Sequence, residues 1–302
     1  MNLAWARWLS SLPQVATRTV AAVRRTADEL AWTQIRVRRD GSPSSLETRS
    51  LPLPPAEPDA APEVIASAWR PVLEQVHGEL TLVLSADQAL MRVVDLPTED
   101  PAELAEMTTL QLDRVSPFPV EHLVAGFEVF ARGNGRSRAL VAALPRELVE
   151  REAALFTGAG RDVRRVDLDA LAWWHHLALR ESDADDQLRI HLRIERSSAQ
   201  LWAMQAKQPL MVRALAAGRD APEEVEHELA LSMAAIATEW GLAGGGAMVV
   251  WFDGEPDPEW ARHLGEIAGL PATAARLEDL PPLTEGAAQR ALAEPAFTLN
   301  LA

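Results

Sequence analysis

Three short apolar runs at 188–194, 199–204 and 209–215, separated by polar turns, precede a long helical stretch at 222–239, a strand at 247–252, a helix at 258–268 and a strand near 272. Few architectures accept that order. A three-strand meander feeding an alternation of helices and strands calls for a mixed sheet with helices on its faces. The first half follows a related grammar. A strand pair is expected near 31–51, around Asp40-Gly41-Ser42-Pro43, and the five prolines between 51 and 62 impose an extended connector. Then come a helix at 63–76 interrupted by Pro71, a strand at 80–84 and a strand at 91–96. Asp100-Pro101 supplies a helix start, and Ser116-Pro117-Phe118-Pro119 its stop. A hairpin follows at 124–131 and 138–144 around Gly133-Asn134-Gly135, then a helix from Pro145, a strand at 163–168 and a helix carrying Leu171, Trp174 and Leu177. Two successive units of this kind predict an α/β protein with two related lobes.

Composition removes whole classes of chemistry. The chain contains no cysteine, so disulfides, thiolate metal sites and thiol nucleophiles are excluded, and its single lysine is Lys207. A net charge of −15 disfavours general nucleic-acid binding. That charge is segregated: residues 1–39 carry +5 and the remainder −20. Within the basic start, Trp5, Trp8, Leu9 and Leu12 share one face of a short helix ended by Pro13. Two readings stand, contact with an anionic lipid surface and packing on the chain's own domain. Apolar stretches such as 240–252 are too short to span a bilayer, and 1–27 lacks the layout of a secretory signal.

The candidate chemical motifs are sparse. Gly244-Gly245-Gly246 precedes a strand, whereas a phosphate-binding glycine turn follows one, so it reads as a connector. His175 and His176 are adjacent, point about 100° apart on a helix, and suit a core edge better than a metal. Asp167 and Asp169 are placed to cap the helix at Ala170. No nucleophile elbow or zinc-protease motif occurs. Phe118 between Pro117 and Pro119 is either a pre-organised partner contact or a packed loop.

The run Leu96-Pro97, then Leu110-Gln111-Leu112-Asp113-Arg114-Val115-Ser116-Pro117-Phe118-Pro119, Phe127-Glu128-Val129 and Val166-Asp167-Leu168-Asp169-Ala170-Leu171 resembles the actin-like assembly proteins of bacterial envelope machines. These are the PilM family and the cytoplasmic domain of the type II secretion protein GspL. The resemblance covers about residues 90–175, and the Phe297–Ala302 end looks like the point where such chains continue into a membrane helix. It implies a two-lobed actin/ribonuclease H-like α/β fold with a small inserted α+β subdomain at about 96–144. The segments would be a basic amphipathic one at 1–29, a first lobe at 30–180 and a second at 187–302. Nucleotide-binding members carry an Asp-x-Gly turn in the first hairpin of each lobe. Here Leu30-Ala31-Trp32-Thr33-Gln34 has neither residue, and His191-Leu192-Arg193-Ile194-Glu195-Arg196-Ser197-Ser198 has the acid without the glycine. The resemblance therefore implies a non-enzymatic scaffold with no cofactor, no metal and no catalytic residue, at the cytoplasmic face of the inner membrane. It would link a secretion or pilus motor ATPase to inner-membrane platform proteins, with a homodimer and a membrane-surface contact as further partners. Pro117, Phe118 and Pro119 would meet a partner, and Trp5 and Trp8 a membrane or partner. The competing reading is an active PilM-like ATPase using Glu195, Asp253 and Gly254.

Overall fold

A computed structural model describes residues 18–26, 29–38, 43–53, 62–181, 187–240, 245–293 and 298–302. Trp5, Trp8 and Gly244 lie outside these. The first half contains β1 (Arg18–Arg25), β2 (Glu29–Val37), β3 (Pro43–Pro52), α1 (Pro62–Leu73), β4 (Glu79–Leu84) and β5 (Leu90–Leu96). It continues with α2 (Pro101–Val115), β6 (Leu123–Gly133), β7 (Arg136–Pro145), α3 (Arg146–Gly158), β8 (Val163–Leu168) and α4 (Asp169–Arg180). The second half contains β9 (Leu188–Ile194), β10 (Ala199–Gln205), β11 (Gln208–Leu215), α5 (Pro222–Trp240), β12 (Gly246–Phe252), α6 (Pro258–Ala268), β13 (Ala272–Arg276) and α7 (Leu283–Arg290).

The halves repeat one topology. Their five-stranded sheets run β3-β2-β1-β4-β8 and β11-β10-β9-β12-β13, with three antiparallel strands followed by parallel additions. The first half differs by one insertion between β4 and α3, comprising β5, α2, β6 and β7, whose strands form a separate sheet in the order β5-β7-β6. Local chemistry fixes its boundaries. Asp100 Oδ1 accepts the Ala102 and Glu103 amides at 2.8 and 3.2 Å and so starts α2. Asn134 and Gly135 turn the β6–β7 hairpin with φ of 56° and 71°.

Three sequence expectations shift. The first sheet begins at Arg18 rather than at residue 30, because Val20, Ala21, Ala22 and Val23 are buried at its centre. Residues 30–34 belong to β2 and not to a turn; at the β1–β2 junction the Thr26 amide donates to the Glu29 carbonyl at 2.9 Å. Residues 283–293 and 298–302 do not pack solely on the second lobe. The helix α7 lies against α4, β1, β2 and β4, and beyond it the Leu301 amide bonds to the Val166 carbonyl at 3.0 Å.

The cores meet through crossed helices. Small buried side chains of α7, Ala287 and Ala288, pack with Ala22, Ile35, Val37 and Val83 of the first sheet. In return α4 sends Leu171 and Trp173 into a core shared with Trp202, Met204, Val212 and Trp251 of the second sheet. The insertion also reaches the second lobe. Phe130 of β6 lies 4.6 Å from Trp174 and 6.4 Å from Trp202, ring centre to ring centre, and the Arg138 guanidinium stands 4.8 Å above the Trp240 ring.

Candidate functional site in the interlobe cleft

The strands β1, β9, β12 and β13 end at a cleft of about 480 Å³ lined by Arg24, Glu29, Ala31, Glu195, Asp253, Glu278 and Thr284, together with Leu277, Leu280 and Pro281–Leu283. Cleft openings at the carboxyl ends of parallel strands are where α/β folds hold ligands. Two of the three nucleotide-site candidates from the sequence, Glu195 and Asp253, do line it, and Gly254 is adjacent, with φ +82° and its amide donating to Glu278 Oε1 at 3.1 Å.

The floor of the cleft is an ion cluster shared by the lobes. Arg193, on the buried strand β9, is 1% exposed and sends a guanidinium nitrogen to Asp169 Oδ2 of α4 at 3.3 Å, while also bonding Glu195. From the first lobe, Arg24 approaches Asp169 and Glu195 at 3.6 and 3.9 Å. Asp169 Oδ1 further accepts the Ala86 amide at 2.9 Å and the Gln200 amide nitrogen at 3.0 Å. Burial by itself raises the pKa of Asp169, yet the two guanidiniums and these donors bring it below the usual carboxylate range. Arg193 is correspondingly held above its ordinary value, its burial outweighed by Asp169 and Glu195. Beside them, burial lifts the Asp87 carboxyl, opposed by the Ser85 hydroxyl. Asp169 thus does not cap α4: neither it nor Asp167 accepts a first-turn amide of that helix, and Asp167 Oδ1 instead accepts the Leu168 amide, just before it, at 2.8 Å. Each carboxylate is taken by a buried arginine instead.

The second cluster holds the far end of the crossing. Arg290 of α7 binds Glu128 of β6 at 2.6 and 3.1 Å and Asp167 of β8 at 3.1 and 3.2 Å, and the Leu299 amide donates to Glu128 at 2.7 Å. In the sequence Glu128 stands only as a motif letter, and Asp167 as a motif letter and an expected helix cap. A usable signal existed for the first cluster: an arginine inside a run that is otherwise apolar, as Arg193 is between Leu192 and Ile194, must find a carboxylate when the strand is buried.

The residues fit a metal–triphosphate poorly. The β9–β10 turn spends the Glu195 amide on the Ser198 carbonyl, and Ser198 Oγ on Glu195. Its carbonyls at 195 and 196 receive the Arg219 and Asp220 amides, both at 2.9 Å. Gly218 permits that closeness, since a Cβ there would stand 2.5 Å from the Ser198 nitrogen. Among the described residues no group of three or more His, Cys, Asp or Glu side chains is arranged to hold a metal ion. Four of the cleft's five charged lining residues are acidic, which repels phosphate.

Elsewhere, Phe118 is 58% exposed in a loop held by Ser116, whose hydroxyl accepts the Phe118 amide at 3.0 Å and donates to its carbonyl at 2.8 Å. Pro117 and Pro119 are exposed beside it. His175 and His176 are core-edge residues on α4, with Nε2 atoms 2.9 Å from Gln289 Oε1 and 3.1 Å from the Pro282 carbonyl. Among the described residues no helix is long and apolar enough to cross a membrane.

No family model and no curated protein matches the sequence. Solved structures do match the fold. A PilM–PilN type IV pilus biogenesis complex superposes with a TM-score of 0.64 at 18% identity, over 87% of this chain and 89% of that one. A Bacteroides thetaiotaomicron protein described as having an actin-like ATPase fold and unknown function gives 0.53 at 7% identity, over 90% and 96%. The cytoplasmic domain of EpsL, an inner-membrane component of the Vibrio cholerae type II secretion system, gives 0.47 at 13% identity, over 94% and 97%. The duplicated sheets, crossed helices and interlobe cleft are those of the actin-like fold, and this chain has it.

Proposed function

We propose that the chain is a non-enzymatic scaffold of a type II secretion or type IV pilus assembly platform at the cytoplasmic face of the inner membrane, coupling the motor ATPase to membrane components. The observation that carries this reading is the cross-lobe cluster of Arg24, Asp169, Arg193 and Glu195, which neutralises internally the charges a nucleotide site would direct at phosphates. The likeness to the PilM–PilN complex supports the assembly role. The crossed helices and the inserted subdomain bind the lobes to one another, which suits a rigid connector. The exposed Phe118, fixed between two prolines, is the proposed motor contact, because an ordered aromatic loses little entropy on docking. Trp5 and Trp8 are proposed to touch the membrane or a partner.

Calorimetric titration with Mg-ATP tests the reading: no heat of binding is expected up to about 1 mM ligand. Micromolar binding that Glu195→Ala abolishes would instead establish the nucleotide-dependent alternative built on Glu195, Asp253 and Gly254. Pull-down with the cognate motor should succeed with the unaltered chain and weaken several-fold with Phe118→Ala. Failure of the unaltered chain to bind, with both proteins folded, refutes the scaffold role.

A further inference from the structure

The edge strand β3 pairs with β2 alone among the described strands, and Pro43 to Ser50 are exposed throughout. At ten residues it is about twice the usual strand length. Natural edges are blunted by charged side chains, lysine above all, by proline, bulges or short length, because a row of free N–H and C=O groups recruits another strand. Between Ser44 and Leu51 the strand SSLETRSL contains no lysine, proline or glycine. The irregularity in its pairing lies at Arg36/Val37, opposite the Pro43 end. Its central charges are also arranged in a particular way. Glu47 and Arg49 share one face and bond each other, whereas Thr48 faces the other side and lies 2.8 Å from Thr33 Oγ1.

A two-fold axis through Thr48 of an antiparallel pair brings Glu47 opposite Arg49 of the second copy, Arg49 opposite its Glu47, and Thr48 opposite its Thr48. All three are favourable cross-strand pairs, and the strand is thus complementary to itself. We propose that a second copy of this chain docks through its own β3, so that two five-stranded sheets become one of ten strands. The inference does not depend on the scaffold reading. An interface built on one strand edge is small, so the dimer forms and dissociates in the micromolar range or weaker.

Sedimentation equilibrium of the full chain up to about 0.5 mM tests the proposal. The unaltered chain should show a concentration-dependent monomer–dimer equilibrium. Glu47→Arg places four arginines at the axis and Arg49→Glu four glutamates, so each variant alone should lose at least about tenfold in association. Mixed in equal amounts, the two should recover a heterodimer, and the doubly reversed E47R/R49E chain should recover the homodimer. Both positions are exposed, so thermal unfolding serves as the check that folding is unchanged. A chain that remains monomeric at the highest concentration overturns the proposal. Association unaltered by the single reversals, or a mixture that stays monomeric, does so equally, by pointing to another surface or another occupant of β3.

Discussion

Asp169 and Arg193 are each 1% exposed, and a carboxylate or guanidinium removed from water so completely persists only with its partner. Arg193→Met keeps most of the side-chain volume but leaves Asp169 to Arg24, Gln200 and one amide. The expected loss is about 3 kcal/mol in urea unfolding. Combining it with Asp169→Asn, which retains an oxygen for the Ala86 amide, should recover part of that loss; strictly additive effects would deny the coupling. The histidines on α4 give a second, pH-dependent expectation. Burial is the largest influence on both and lowers their pKa values below 6.5, and Arg290 near His175 and Arg180 near His176 act in the same direction. The unfolded chain therefore binds protons that the folded chain refuses. Stability from these groups is full above pH 6.5 and declines as the pH falls below it. Asp87 and Glu285, whose carboxyls are held up, act in the opposite sense. Melting temperatures measured from pH 7.5 to about 5 should fall less steeply in a His175→Gln, His176→Gln variant than in the unaltered chain. Equal slopes would remove the histidines from the account.

The strand β12 runs beside β9 from its first residue, and Gly246 at that start has φ of +150°. A Cβ there would stand 2.4 Å from the Leu188 carbonyl oxygen, whereas one on Gly245 meets nothing within 4 Å. Gly246→Ala should therefore cost about 2–3 kcal/mol by forcing β9 and β12 apart, against about 1 kcal/mol for Gly245→Ala. Denaturant midpoints that rank the two the other way would refute the close approach. What the sequence discloses at this scale follows from burial pattern. The second-lobe strands were legible because each is a short apolar run between polar turns, and α2 because Asp100 caps it. The strand β1 was not, since Arg18, Arg24 and Arg25 flank its apolar centre and continue the basic character of the preceding residues. The helix α7, LTEGAAQR, was missed for a different reason: its buried face consists of Thr284, Gly286, Ala287, Ala288 and the charged Arg290, which do not stand out as an apolar stripe. Small residues are what the crossing needs, because a Cβ on Gly286 would stand 2.5 Å from the Ala172 carbonyl oxygen of α4.

Duplication of one sheet topology is visible along the chain, but the exchange of helices between lobes leaves no local trace. It depends on pairs such as Asp167 with Arg290 and Thr33 with Thr284, separated by 123 and 251 residues. For the same reason Glu195 and Asp253 could be named through the resemblance as alternative nucleotide-site residues, while Arg24 and Asp169, which join Glu195 in the ion cluster, could not. The exchange predicts that the molecule unfolds as one cooperative unit. A fragment spanning 18–181 contains the whole first sheet yet lacks α7 and residues 298–302. It would uncover the faces of Ala22, Ile35, Val37 and Val83, and leave Glu128 and Asp167 buried without Arg290. The unpaired carboxylates alone cost about 3–5 kcal/mol, a large part of the 5–15 kcal/mol that holds a typical domain together. The fragment alone should therefore show weak near-ultraviolet dichroism and no sharp thermal transition. Adding the complementary 187–302 fragment should restore both, together with the buried-tryptophan emission expected of Trp173 and Trp202, which lie in the core the lobes share. A first-lobe fragment that melts cooperatively by itself, near the temperature of the full chain, would show that the crossing helices join two independent domains instead of completing one.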